Sequence, residues 1–122
     1  MTLLLMSLAG GVGAMLRFLM DGLIRARVRT LPTAPTAVVN ATGTFALAVI
    51  TGLVTSHVIP PAALAVVGTG LLGGYTTFST SAFETVRLLQ RGRRRRAVAA
   101  ALVQLTISLV AAVAGYALGV WL

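Results

Sequence analysis

The chain contains no cysteine and no lysine, a single histidine, and only two acidic residues among its 122. Without cysteine there is neither a disulfide framework nor a thiolate metal site. His57 stands alone ahead of Pro60-Pro61, and a metal centre or catalytic triad needs companions that the chain does not supply. No nucleophile–base pair is visible, so an enzyme is not expected. Charged residues make up 10% of the chain, against roughly 25% in a soluble domain. That scarcity excludes an ordinary water-soluble fold.

What the chain has in abundance is apolar sequence: 57% hydrophobic residues and a mean hydropathy of +0.96. Four long stretches can be read, at about Leu3–Ile24, Ala34–Val54, Pro61–Leu89 and Ala97–Leu122. Each reaches the ~20 residues needed to cross the hydrocarbon core. The expectation is an all-α membrane protein, one four-span domain over residues 1–122. Leu3-Leu4-Leu5-Met6 opens an apolar run like that of a signal peptide. It lacks a positive leading segment and a clear cleavage site, so it reads as a retained first span.

The third stretch carries the most informative residues. After Gly73-Gly74-Tyr75 come Thr76, Thr77, Ser79, Thr80 and Ser81, five hydroxyls within six residues. Ser and Thr in an intact tilted helix bond back to the preceding turn, but five of them beside two glycines favour a third helix broken near its middle. Irregular backbone at membrane depth survives only where it is buried in protein or lines a wet cavity. Discontinuous helices of this kind hold ions or substrates in many transporters.

Charge is distributed unevenly. All ten basic residues are arginine; Arg25, Arg27 and Arg29 follow the first span, and Arg87, Arg91 and Arg93–Arg96 flank the connection from the third to the fourth. In a four-span chain these connections share one face, and the opposite face has no basic residue. Arginine-rich short loops stay cytoplasmic, so both termini are expected outside. The Arg93–Arg96 run reads as a topology determinant that also attracts anionic lipid, at ~1 kcal/mol per residue, in preference to a nucleic-acid patch. Arg17 and Asp21 lie four apart and share a helix face. They form either a snorkelling pair or, with Arg17 at a pore vestibule, an anion collector. Glu84, three residues before Arg87, is placed to cap or pair locally.

Gly10, Gly11, Gly13 and Gly43 are small positions where helix backbones can approach. Asn40, with Thr36 and Thr44 one turn to either side, and Gln104 with Ser108, add narrow polar lines on the second and fourth spans. Neutral hydrogen-bonding groups can replace part of a small solute's hydration without trapping it. The residues themselves point to passage of something small and do not name it.

The pattern resembles the Fluc/CrcB family of fluoride channels over essentially the whole chain. The resemblance rests on Gly10-Gly11-Val12-Gly13-Ala14 with Arg17, on Thr36 through Asn40 to Gly43, and on Gly73-Gly74-Tyr75-Thr76-Thr77-Phe78-Ser79-Thr80 followed by Glu84. Leu88–Gly92 and Ser108 also match. It implies a passive fluoride exporter of the bacterial cell membrane, assembled as an antiparallel dimer with two pores. It also implies a structural Na⁺ at the dimer interface, held by the Gly73 and Thr76 carbonyls. Asn40, Thr77, Ser79, Thr80, Ser108 and Arg17 would line the anion path. Phe78 would meet the anion with its ring edge, the positive part of the aromatic quadrupole.

Two positions depart from the family pattern. Ser81 stands where a second Phe is usual, and Pro35 precedes Thr36 where Gly is typical. Phe83 does not replace the missing ring, because two residues turn a helix by about 200°. An antiparallel homodimer needs loops of nearly balanced charge, and here nine arginines face none. The expected partner is therefore a homologous chain of opposite charge bias. A structural subunit without a competent pore of its own remains an alternative, as does, less favourably, a small multidrug-type antiporter.

Overall fold

The computed structural model describes residues 1–122 as helices and connections, with no strand. Helix α1 spans Thr2–Arg27 and α2 spans Ala34–Thr55. The third span is divided: α3 covers residues 61–75 and α4 covers Phe78–Gln90. Helix α5 runs over Arg94–Trp121. The boundaries follow local chemistry. Pro35 sits in the first turn of α2, where its missing N–H costs nothing. Arg25 and Arg27 fill the last turn of α1, where cations face the negative end of the helix dipole. Gly92, at φ 71°, closes α4 in the left-handed conformation that glycine adopts without strain.

Four spans are long and apolar enough to cross a bilayer, and only 13 of the 122 residues are buried within the chain. Val39, Pro35 and Ala97 are fully enclosed and Leu72 nearly so. The remaining apolar surface faces outward, as a multi-pass membrane protein requires. With no hydrophobic drive between helices in lipid, packing relies on backbone approach at small residues. Helix α1 packs chiefly on α3, and α2 on α5. At the second contact, a Cβ added to Gly52 would come within 2.8 Å of the Gly119 backbone, and one on Gly115 within 3.0 Å of the Ala48 methyl. Gly13 and Gly10 serve such approaches, as expected, whereas Gly43 admits the Thr76 and Tyr75 side chains and no backbone. Gly11 does neither: it has nothing within 4 Å and faces away from its neighbours.

The third span is broken near its middle, as expected, within the hydroxyl run that follows the glycine pair, while the glycines themselves stay helical. Gly73 is helical, at φ −62° and ψ −40°, and Gly73–Tyr75 continue the helix. The chain becomes extended two residues later, with Thr76 at ψ 161° and Thr77 at φ −150°. The reason is packing. Gly74 abuts the backbone of Gly10, so its missing side chain admits α1 and does not loosen α3. Before the break, Leu64–Leu72 forms wide π turns, with the Gly73 N–H reaching back to Gly68. Such turns cluster at functional sites.

His57, in the α2–α3 connection, is the only non-glycine residue at positive φ, 58°. A left-handed residue bearing a Cβ costs about 1 kcal/mol. His57→Gly is expected to raise stability by about that amount in a denaturant titration of the micelle-solubilised protein.

Candidate functional site

The break is held by a side chain from another helix. Asn40, buried on α2, accepts a hydrogen bond from the Thr77 N–H through Oδ1 at 2.8 Å and donates one from Nδ2 to the Thr77 carbonyl at 2.8 Å. Its amide thus replaces a neighbouring peptide group for a residue that has left the helix. One turn earlier, buried Thr36 donates its hydroxyl to Glu84 Oε1 at 2.8 Å. Thr36 and Asn40 therefore fasten α4 to α2 at two levels. Gly43, one turn beyond Asn40, leaves room for the Tyr75 ring, whose Cδ1 would lie 2.9 Å from an added Cβ.

The diverted donors leave particular acceptors free. In a continuous helix the Thr77 N–H would close on the Gly73 carbonyl, and the Thr80 N–H on that of Thr76. Here the first goes to Asn40 and the second to Thr77 Oγ1 at 3.3 Å. The Leu72 carbonyl, by contrast, accepts from both the Thr76 N–H and its hydroxyl, each at 2.9 Å. Gly73 itself lies exposed with nothing near it. Two released main-chain oxygens three residues apart are the donor type that a hard cation takes. No group of three or more His, Cys, Asp or Glu is assembled, so a cation at the break would depend on carbonyls.

On the other side of the break the hydroxyls gather. Thr77 caps α4, and its Oγ1 lies 3.2 Å from both Ser79 Oγ and Thr80 Oγ1. Phe78, at the first position of α4, is 86% exposed on the outer face of the chain. Asn40 uses one of its two amide N–H groups and keeps the other.

The family described as "CrcB-like protein, Camphor Resistance (CrcB)" matches residues 4–116. The chain belongs to the CrcB family. It is similar to the "Fluoride-specific ion channel FluC 1" of Leifsonia xyli, with 39% identity over 122 residues, covering all of this chain and 86% of that protein. It is also similar to the "Fluoride-specific ion channel FluC 2" of Nocardia farcinica, 44% identical over 118 residues, covering 96% of this chain and 81% of that one. The protein of the same printed name from Mycobacterium tuberculosis is 41% identical over 116 residues, with 94% and 85% covered.

Within this CrcB chain, Asp21 and Glu84 take partners other than the expected ones. Asp21 pairs with Arg25 at 2.7 Å, not with Arg17, and this is the only ion pair in the chain. An acid four residues ahead of a base is the better-oriented pair on a helix. Glu84 neither caps nor pairs locally; its partner Thr36 is 48 residues away. Ser108 accepts from Gln104 Nε2 at 3.2 Å along α5 and makes no bond to the break. The structure thus brings Asn40, Thr77, Ser79 and Thr80 together, with Phe78, Gly73 and Thr76 contiguous, and leaves Ser108 and Arg17 apart. It also forms a cleft of about 50 Å³ lined by Thr33, Ser81, Glu84, Thr85 and Gln104 with apolar neighbours. Ser81 was singled out by its departure from the family pattern, but its grouping with Gln104 and Thr33 had no sequence signal.

Proposed function

We propose that the chain is a subunit of a passive fluoride channel that lets the ion leave the cytoplasm, built as an antiparallel dimer. The observation that carries this reading is the Asn40-held break at Thr76–Thr77. It brings a free amide N–H from α2 to the hydroxyl cluster and exposed phenyl ring of the interrupted third span. The printed names of the relatives supply the solute. A small, strongly hydrated anion needs donors that replace its water, and the Asn40 amide with the Thr77, Ser79 and Thr80 hydroxyls offers them. Ser108 and Arg17 join the path from a more distant part of the fold. The Phe78 ring edge offers a weakly positive contact to a desolvated anion.

The carbonyls of Gly73 and Thr76 would hold a structural Na⁺. Both have lost their helical donors, and a second copy or a homologue would bring the same pair. Bound there, such an ion would supply fixed positive charge between subunits and would not itself be transported. Arginine-rich connections lie in the cytoplasm and both termini outside. Because nine arginines sit on one face, the partner is a homologous chain of reversed bias. A half-competent subunit is the second reading, favoured by Ser81, which contributes a hydroxyl to a polar cleft where the family pattern has a ring. An antiporter is not favoured, since Asp21, the sole acid of α1, is tied to Arg25.

The test is fluoride efflux from liposomes, read with a fluoride electrode, for the chain alone and with its co-expressed homologue. Phe78→Ile is expected to cut efflux at least tenfold while the purified dimer persists on a sizing column. Unchanged flux in that variant would remove Phe78 from the path. Robust flux from this chain alone would end the heterodimer reading and leave the channel reading intact.

A further inference from the structure

We propose that the α4–α5 turn, Gly92–Arg96, is a binding site for the phosphodiester headgroup of an anionic membrane lipid. The inference does not depend on which solute the protein passes. Its first ground is unbalanced charge. The only carboxylate side chains are Asp21 and Glu84; the first is engaged by Arg25 and the second by the Thr36 hydroxyl. Arg87, Arg91 and Arg93–Arg96 therefore have no carboxylate partner, and all six are exposed. Four consecutive guanidinium groups repel one another unless an anion lies among them.

The second ground is shape. The Arg93 N–H reaches back to the Leu88 carbonyl at 2.9 Å and the Gly92 N–H to Leu89 at 2.9 Å, so the chain reverses within a few residues. Gly92 and the four arginines thereby line one shallow, open depression on the surface. A guanidinium binds two phosphate oxygens at once, which an ammonium does not. Lysine would serve membrane topology equally well, yet every basic residue here is arginine.

The third ground is depth, and it selects lipid over a soluble anion. Arg94–Arg96 form the first turn of α5, and the next residue, Ala97, is buried against the bundle. At 1.5 Å rise per residue the arginine backbone lies within ~5 Å of the apolar span. That is headgroup level.

The experiment uses the full chain, delipidated in neutral detergent and titrated with short-chain phosphatidylglycerol or phosphatidylcholine, with bound lipid counted by native mass spectrometry. Phosphatidylglycerol is expected to bind more tightly, and Arg93→Gln with Arg96→Gln to weaken it roughly 25-fold, about fivefold per charge. Because charge removal can disturb insertion, the second variant is R93K/R96K, which keeps topology and charge. It is expected to lose part of the preference, since ammonium groups bind phosphate only as point charges. Equal binding of the two lipids by the wild type, or a preference untouched in both variants, would overturn the proposal. Displacement of phosphatidylglycerol by inorganic phosphate at comparable concentration would also overturn it, assigning the depression to a soluble anion.

Discussion

An Asn40→Ala chain is expected to be about 3 kcal/mol less stable and to lose the bend of its third span. Two hydrogen bonds disappear together, both at 2.8 Å and both to Thr77. What remains is a peptide N–H with no partner, while the Thr77 carbonyl, at the N-cap of α4, keeps the first helical bond. Leaving a buried polar group unsatisfied costs about 1–3 kcal/mol, and lipid offers no water to replace the lost partner. The chain has one escape: Thr77 can return to helical geometry and close its N–H on the Gly73 carbonyl. That rescue removes the released carbonyl and rotates everything from Phe78 onward relative to α3.

Two further substitutions separate the role of the amide from that of its bulk. Asn40→Asp keeps an acceptor for the Thr77 N–H but has no donor for its carbonyl, so it is expected to recover part of the loss at most. Asn40→Leu fills the volume with neither group and is expected to match alanine. Denaturant titration in micelles reads the stability, and amide hydrogen exchange at Thr76–Thr80 reads the bend. If leucine proved as stable as asparagine, the amide would have no part in holding the break.

This dependence on a distant side chain explains which features were legible in the sequence. The four spans were, because length and apolar content are local properties; the expected and observed limits differ by at most three residues. The hydroxyl cluster and Asn40 were legible as polar interruptions of apolar helices. The break was legible to within the stretch from Gly73 to Ser81, but the two residues that leave the helix were not. Glycine weakens a helix in water, but Gly74 in this fold is a packing residue against Gly10. The interruption falls where Asn40, 37 residues away, supplies substitute bonds. Glu84 shows the same limit: Arg87 is its neighbour by spacing, while Thr36 reaches it only after α2 and α4 have packed. The π turns at Leu64–Leu72 had no cue beyond the small residues Gly68 and Gly70. The choice of Arg25 over Arg17 by Asp21 turned on orientation along the helix.

Gly13→Ala is expected to be the most damaging single methyl that can be added to α1, costing about 3 kcal/mol. A Cβ at Gly13 would run into the Leu71 carbonyl and come within 2.9 Å of the Tyr75 backbone N–H nitrogen. Neither obstacle is the end of a flexible side chain, so relief requires α1 and α3 to separate along their length. Separation also breaks the approach of Gly74 to Gly10 and of Gly70 to Met6, the contacts that keep the segment ahead of Thr76 in place. The matched control lies two residues away. Gly11→Ala meets nothing within 4 Å and gains up to about 1 kcal/mol of helix propensity. One methyl on the same helix thus stabilises at residue 11 and destabilises at residue 13, measured as opposite shifts in the denaturation midpoint of the micelle-solubilised chain. Equal shifts of one sign would mean that α1 and α3 do not meet through their backbones. The break at Thr76–Thr77 would then have to be held by α2 alone.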